Sequence, residues 1–498
     1  MTILDFVKRN RTLLVSLLII LLAIVAAGSG MSGPTAVSVL LSGVTLGALY
    51  FLVASGLSLI FGLMEVLNFA HGSFFMLGAY MGWTFYTNPR LLLNTAPLLL
   101  AVGAALVLQG TMPRRLALPR AARWATFLIA GAILVLGLRD FPLDKLVAMG
   151  MSMTGKVIPT AEAEEPISAM LIRVGLFFLA GLVADLALGA RGPEETFRAS
   201  HRRTVAVFVA LVVAALGLLF LRDVGEQFIL HLESNLRFVL ALAFGAAAGA
   251  LLGALMEWGL IRPLYARPIY QILLTLGLVF VFDQVVRLVW GPAGAFMEIP
   301  SLFSSQAPDC PSPNLLAWFS QHCDSLMIMG RAFPSYRLFI IAVGIVMIVA
   351  IMVLLQRSRL GMIIRAGVQD SEMVEALGIN VRRVFTIVFA VGAGLAGLGG
   401  VVAAPFLGVY PDMAMEFLLQ AFIVVVIGGL GSIPGAAVGA LLVGLARACG
   451  DHLVLAGIQL PWMAQAASGS PAIARASTVL IMAIVLFLKP TGIFGEKE

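Results

Sequence analysis

Asn68-Phe69-Ala70-His71-Gly72 places an amide and an imidazole inside an otherwise apolar run. At membrane depth such groups are costly unless a partner or water meets them. They read either as part of a path for a polar solute or as hydrogen-bonding glue between helices. Gln284 joins Asn68, His71 and Gly72 as a candidate for the path, and Glu65, Glu257 and Asp283 raise the same question. No metal or catalytic pattern accompanies them, because His71, His201, His231, His322 and His452 sit in different segments without ligand spacing. Gly428, Gly429, Gly431 and Pro434 resemble a phosphate loop at first sight, but the chain has no G-x-x-x-x-G-K-[ST] pattern, so it is not expected to hydrolyse nucleotide itself. These residues read better as a break in a membrane helix, giving either two helices or a re-entrant element within 416–450.

A second set lies in the polar stretch 357–383, where Asp370, Glu372 and Glu375 alternate with Val368, Met373, Val374 and Leu377. Positions 370, 373, 374 and 377 are neighbours at helical spacing, which predicts a short helix stopped by Gly378. The flanking arginines also suit an amphipathic helix lying on a membrane surface.

The elements that hold these residues follow from composition. The 498 residues are 60% hydrophobic and 12% charged, against roughly 25% charged in a soluble domain. That excludes a soluble enzyme. Continuous apolar runs, without the alternation of a β-barrel, imply an all-α polytopic membrane protein with about 14 crossings. The first run, 13–27, follows Lys8, Arg9 and Arg11 and reads as a retained signal anchor more than a cleaved signal peptide. With the amino terminus in the cytoplasm and one crossing per run, the loops on that side hold most of the 32 basic residues, among them Arg114, Arg115, Arg202, Arg203 and Arg357. The opposite loops include the acidic group Glu162, Glu164 and Glu165. Both termini are then cytoplasmic. Gly43 and Gly47, the set Gly245, Gly249 and Gly253, and Gly435 and Gly439 have helix-packing spacing. Cys310 and Cys323 share one polar loop and either pair or remain free thiols, depending on its compartment.

Four stretches carry a resemblance: 42–80, which includes NFAHG; the loop containing Glu375-Ala376-Leu377-Gly378-Ile379-Asn380; GGLGSIPGAAVGALLVG at 428–444; and KPTGIFG at 489–495. In this order they resemble the membrane permease subunit of high-affinity branched-chain amino-acid ABC importers. The loop resembles the EAA loop that docks on the ATPase in such permeases. The resemblance implies that Asp370, Glu372, Glu375, Ala376, Gly378, Ile379 and Asn380 form the ATPase-coupling element. It further implies a second homologous permease subunit, two cytoplasmic ATPase subunits that bind the ATP, a periplasmic binding protein and no cofactor in this chain. Permeases for urea or short amides share the resemblance, and an ion-coupled secondary transporter is the rival outside the class. The resemblance covers roughly 36–86 and 236–495 of the chain, leaving 1–35 as an extra anchor and 87–235 as an inserted segment of about four crossings. An even number of inserted crossings keeps the coupling loop, 356–384, on the cytoplasmic side.

Overall fold

A computed structural model describes residues 32–64, 66–109, 119–139, 166–187, 197–369, 371–456, 471–489 and 492–494. The expected anchor at 13–27, Glu65, the Glu162–Glu165 group, Asp370 and the side chain of Glu372 lie outside the described residues.

Helices dominate. In chain order they are α1 (Gly33–Met64), α2 (His71–Thr87), α3 (Pro89–Gln109), α4 (Arg120–Leu138), α5 (Ile167–Ala187), α6 (Phe197–Phe220), α7 (Arg222–His231), α8 (Ser234–Met256), α9 (Pro268–Trp290) and α10 (Leu315–Gln321). A two-stranded antiparallel hairpin, β1 (Ser325–Ile328) and β2 (Arg331–Pro334), follows. Then come α11 (Ser335–Arg357), α12 (Arg359–Gln369), α13 (Ser371–Ala376), α14 (Val381–Leu407), α15 (Met413–Gly428), α16 (Ile433–Ala456) and α17 (Pro471–Leu488). Among the described residues, 8 helices are long and apolar enough to cross a membrane, or 9 if α6 and α7, bent by 67°, form one span. Ala122–Leu138, Met413–Gly428 and Ala476–Phe487 are apolar but shorter, so length and composition assign fewer spans than the expected number of about 14.

The chain divides into two compact units, one of residues 32–83, 234–288 and 292–494, the other of 84–233 and 289–291. In the second, α3 packs on α5 and α6, and α4 packs on α5. In the first, α1 packs on α14, α15 and α16, and α14 packs on α8. Lipid supplies no hydrophobic force between helices, so close backbone approach has to hold them. The glycine spacings supply it. A Cβ on Gly47 would lie 2.9 Å from the Ala440 carbonyl oxygen of α16, and one on Gly249 would lie 2.7 Å from that of Ala393 in α14. α14 is accordingly buried along most of its length, from Val388 to Ala404.

The loop 291–334 is a small folded element. Cys310 and Cys323 form a disulfide, which decides the question the sequence left open. Phe303 stacks on Trp318 with ring centroids 5.6 Å apart, and the Trp318 indole donates to the Cys323 carbonyl at 2.9 Å. Ala295 and Val409 exchange backbone hydrogen bonds of 2.8 and 2.7 Å, tying the loop to the α14–α15 connection.

Candidate functional site

The predicted short helix is α13, and Gly378 ends it as the spacing required. Gly378 has φ +83°, its N–H donates to the Glu375 carbonyl at 2.9 Å, and the Ile379 N–H reaches the Val374 carbonyl at 3.3 Å. This pair of bonds satisfies the last carbonyls of the helix and needs a left-handed residue between them. Two residues later the Asn380 side chain accepts from the Arg383 N–H at 3.1 Å and caps α14. Of the apolar positions, Val374 turns inward while Met373 and Leu377 are exposed. The side chains of Glu375, Ala376 and Asn380 are exposed too, and that of Ile379 is half-buried.

Behind this element sits a buried ionic cluster. Glu257, fully buried in a π-turn at the end of α8, accepts from Arg262 Nε at 3.3 Å, from Thr386 Oγ1 at 2.6 Å and from the Tyr265 hydroxyl. Arg262 Nη2 also donates to Thr386 Oγ1 at 2.7 Å and to the Arg382 carbonyl at 3.1 Å. Burial and the adjoining Glu257 carboxylate push the Tyr265 phenol well above its ordinary pKa, so it remains a donor. The α8–α9 turn is thereby fastened to the first turns of α14.

The 416–450 region is two helices, α15 and α16, joined through Gly429 and Gly431, whose φ values are 102° and 78°. Gly428 and Gly435 meet backbone to backbone, and Pro434 occupies the first turn of α16, where its missing N–H costs nothing. The carboxy-terminal motif returns to this break. Ile493 N–H donates to the Ile427 carbonyl at 2.8 Å and Phe494 N–H to that of Gly428 at 2.9 Å. The two glycine-containing motifs, far apart in sequence, therefore complete one another by covering the carbonyls that end α15.

Asn68 and His71 are both buried. Asn68 Oδ1 accepts from the Ala70 N–H at 3.0 Å at the entry to α2, and His71 Nε2 lies 3.0 Å from the Val53 carbonyl oxygen. Gly72 lets α2 lie against α15, since a Cβ there would be 2.7 Å from Leu418 Cβ. Asn68 Nδ2 and His71 Nδ1, with Ser58 Oγ, Ser73 Oγ and Gln420 Oε1, are buried without partners among the described residues. Buried atoms of this kind are met by water or by a passing solute. Gln284 is set apart from them: it is exposed beside Phe280, Val281, Val285 and Leu288 and donates to Asp283 at 3.2 Å.

Sequence reasoning did not single out a cavity of about 450 Å³ lined by the first turns of α1, α11 and α15 and the last turns of α14 and α16. It brings together Tyr50, Arg337, Phe406, Glu416, Arg447 and Asp451. The available signal was the presence of arginines at 331, 337 and 447 on the side the charge count leaves poor in basic residues.

The family described as "Branched-chain amino acid transport system / permease component" matches residues 39–184 and 200–488. The chain is 26% identical over 265 residues to the high-affinity branched-chain amino acid transport system permease protein LivH of Escherichia coli K12, covering 52% of this chain and 76% of that one. It is 30% identical over 204 residues to the permease protein BraD of Pseudomonas aeruginosa, covering 41% and 61%. It is 21% identical over 153 residues to the probable branched-chain amino acid transport permease protein LivH of Methanocaldococcus jannaschii, covering 31% and 46%. No solved structure is significantly similar.

Proposed function

Because the chain belongs to the branched-chain amino acid transport permease family, we propose that it is one transmembrane half of an ATP-driven importer for branched-chain or related small amino acids. It works with a second permease subunit, two cytoplasmic ATPases that bind the ATP, and a periplasmic binding protein. The chain itself is a multi-pass transport subunit, and no cofactor of its own enters the scheme.

The observation that carries the coupling reading is α13, a short helix that ends in a glycine-dependent stop and presents Met373 and Leu377 to the outside. ATP binding closes the ATPase pair, and the motion enters the membrane helices through 370–380, with Glu375 as a polar contact and Gly378 as the turn. Val374 roots the helix in the bundle, so force on it is passed to α14. Asn68 and His71, with their unmet polar atoms, belong to the path between the two faces.

Two independent features support the orientation, with the coupling loop and both termini in the bacterial cytoplasm. Basic residues gather on one side, and the Cys310–Cys323 disulfide closes a loop on the other, where an oxidising compartment preserves it. Residues 87–235, nearly all of which fall in the compact unit 84–233, are proposed as a segment inserted into the importer core. Charges of both signs in the cavity favour a zwitterion over urea or a short amide.

The test is co-purification with an ATPase subunit and ATP-dependent leucine uptake in proteoliposomes. Glu375→Arg, or deletion of 370–377, abolishes both. Uptake by the permease without any ATPase would instead assign it to the ion-coupled transporters.

A further inference from the structure

The cavity described above deepens the importer reading and rests on it. It opens at the end of the first unit that carries the disulfide loop, since Arg331 of β2 is among its walls. Its volume, about 450 Å³, falls in the range of small-molecule sites.

The cavity lining carries charges of both signs. Arg337 is half-buried beside the rings of Phe333 and Phe406, whose centroids lie 5.9 and 4.8 Å from its guanidinium carbon. Its Nη1 donates to Ser42 Oγ at 3.1 Å, and among the described residues no carboxylate lies within ion-pair range. A guanidinium set against aromatic rings and not neutralised retains in-plane donors suited to a carboxylate. Elsewhere in the cavity two carboxylates share one cation. Asp451 pairs with Arg447 Nε at 3.3 Å, and Glu416 lies 3.9 Å from Arg447 Nη2 while accepting from the Tyr410 hydroxyl at 3.1 Å. The surplus of negative charge there suits an ammonium. Leu46, Phe406 and Phe417 add apolar wall to the same cavity.

We propose that this cavity is an outer binding site for the amino acid in transit, with the substrate carboxylate on Arg337, its ammonium toward Glu416 and Asp451, and its aliphatic side chain against Leu46, Phe406 and Phe417. Neither urea nor a short neutral amide carries the two charges this pairing needs. The site lets the permease itself check for both ionic groups after the binding protein has released the substrate.

The experiment uses the assembled importer in proteoliposomes without binding protein. Ser38, which lines the cavity, is replaced as Ser38→Cys in a Cys449→Ser background, so that one free thiol reports occupancy to a membrane-impermeant maleimide. L-leucine at about ten times its half-saturating concentration slows labelling about tenfold. Isovalerate, which lacks the ammonium, and isoamylamine, which lacks the carboxylate, do not. Arg337→Gln abolishes protection and Arg337→Lys keeps part of it, with assembly on gel filtration as the control for folding. Labelling that leucine leaves unchanged, in a preparation whose unsubstituted counterpart accumulates leucine with ATP and binding protein, overturns the site and spares the importer reading. Equal protection by isovalerate overturns the zwitterion assignment. Protection by leucine in an importer that accumulates none leaves the site standing and removes the functional reading on which its role in transit depends.

Discussion

Replacing Glu257 tests whether the cluster behind the coupling element is a mechanical joint. The carboxylate is fully buried, while Arg262 keeps 26% of its side chain exposed. Glu257→Ala strands a guanidinium, a phenol and a hydroxyl that all donate to it, and breaking such a buried pair costs about 3–5 kcal/mol. Glu257→Gln keeps the volume and one acceptor but loses the charge, and a hydrogen bond to a charged group is worth about 1.5–3 kcal/mol. Partial exposure of Arg262 puts the glutamine variant near the lower end of that range. Thermal unfolding in detergent is therefore lowered by a few degrees in Glu257→Gln and further in Glu257→Ala, and leucine uptake per ATP hydrolysed falls in both. Thr386→Val removes a second member, and the double variant with Glu257→Gln departs from additivity by more than about 0.5 kcal/mol. A Glu257→Gln protein as stable as the parent, or a double variant that is simply additive, refutes the joint.

Three further outcomes follow from single contacts. Gly378 has φ +83° and open space where a Cβ would stand, so Gly378→Ala meets only the backbone penalty of about 1–2 kcal/mol. Asn, which visits the left-handed region more readily, retains more coupled uptake than Ala, and Ala more than Val. Gly444→Val drives a side chain into the backbone of α1 at Gly47, where even a Cβ would lie 2.7 Å from the Cα, so α1 and α16 must separate. Its expression and detergent stability fall together, by about 1–3 kcal/mol or more on the scale of overpacked cores. Cys310→Ser with Cys323→Ser opens a 13-residue separation worth about 3 kcal/mol to the loop, and limited proteolysis cuts 291–334 faster while the remaining helices stay protected.

The legible parts of this chain were those written in local pattern. Apolar runs gave the helices, the stop at Gly378 was read from one glycine after an amphipathic stretch, and the glycine spacings at 43 and 47 and at 245, 249 and 253 marked surfaces where helices do touch. Non-local pairings were not legible. Nothing near residue 428 announces that Ile493 and Phe494 supply the donors for its carbonyls, and nothing near Glu257 announces Thr386. Likewise Arg337 stands at the edge of one apolar run and Arg447 deep in another, so they become neighbours of one cavity only when helices of alternating direction assemble. The disulfide was a possibility in the sequence and is a pairing in the fold, where Ser335 and Trp318 both donate to the Cys323 carbonyl.

One helix joins the two ends of the proposed mechanism. α14 begins at Val381, just after the Asn380 cap, and ends at Leu407, which with Phe406 lines the cavity. Its 27 residues span about 40 Å at 1.5 Å each. Between those ends it is gripped by backbone rather than by flexible side chains, at Gly392 against Gly56 and at Gly397 against Gly245 and Gly249. Contacts of that kind have little give, so under the proposed coupling a push at α13 is passed along the helix instead of being absorbed there. In the proposed coupling it appears as a shift or tilt of the helix up to Pro405, the bend point next to Phe406, whose ring lies 4.8 Å from the Arg337 guanidinium carbon. Closing the ATPases would then weaken the hold on the substrate carboxylate from the far side of the membrane, without any residue of the coupling element approaching the cavity.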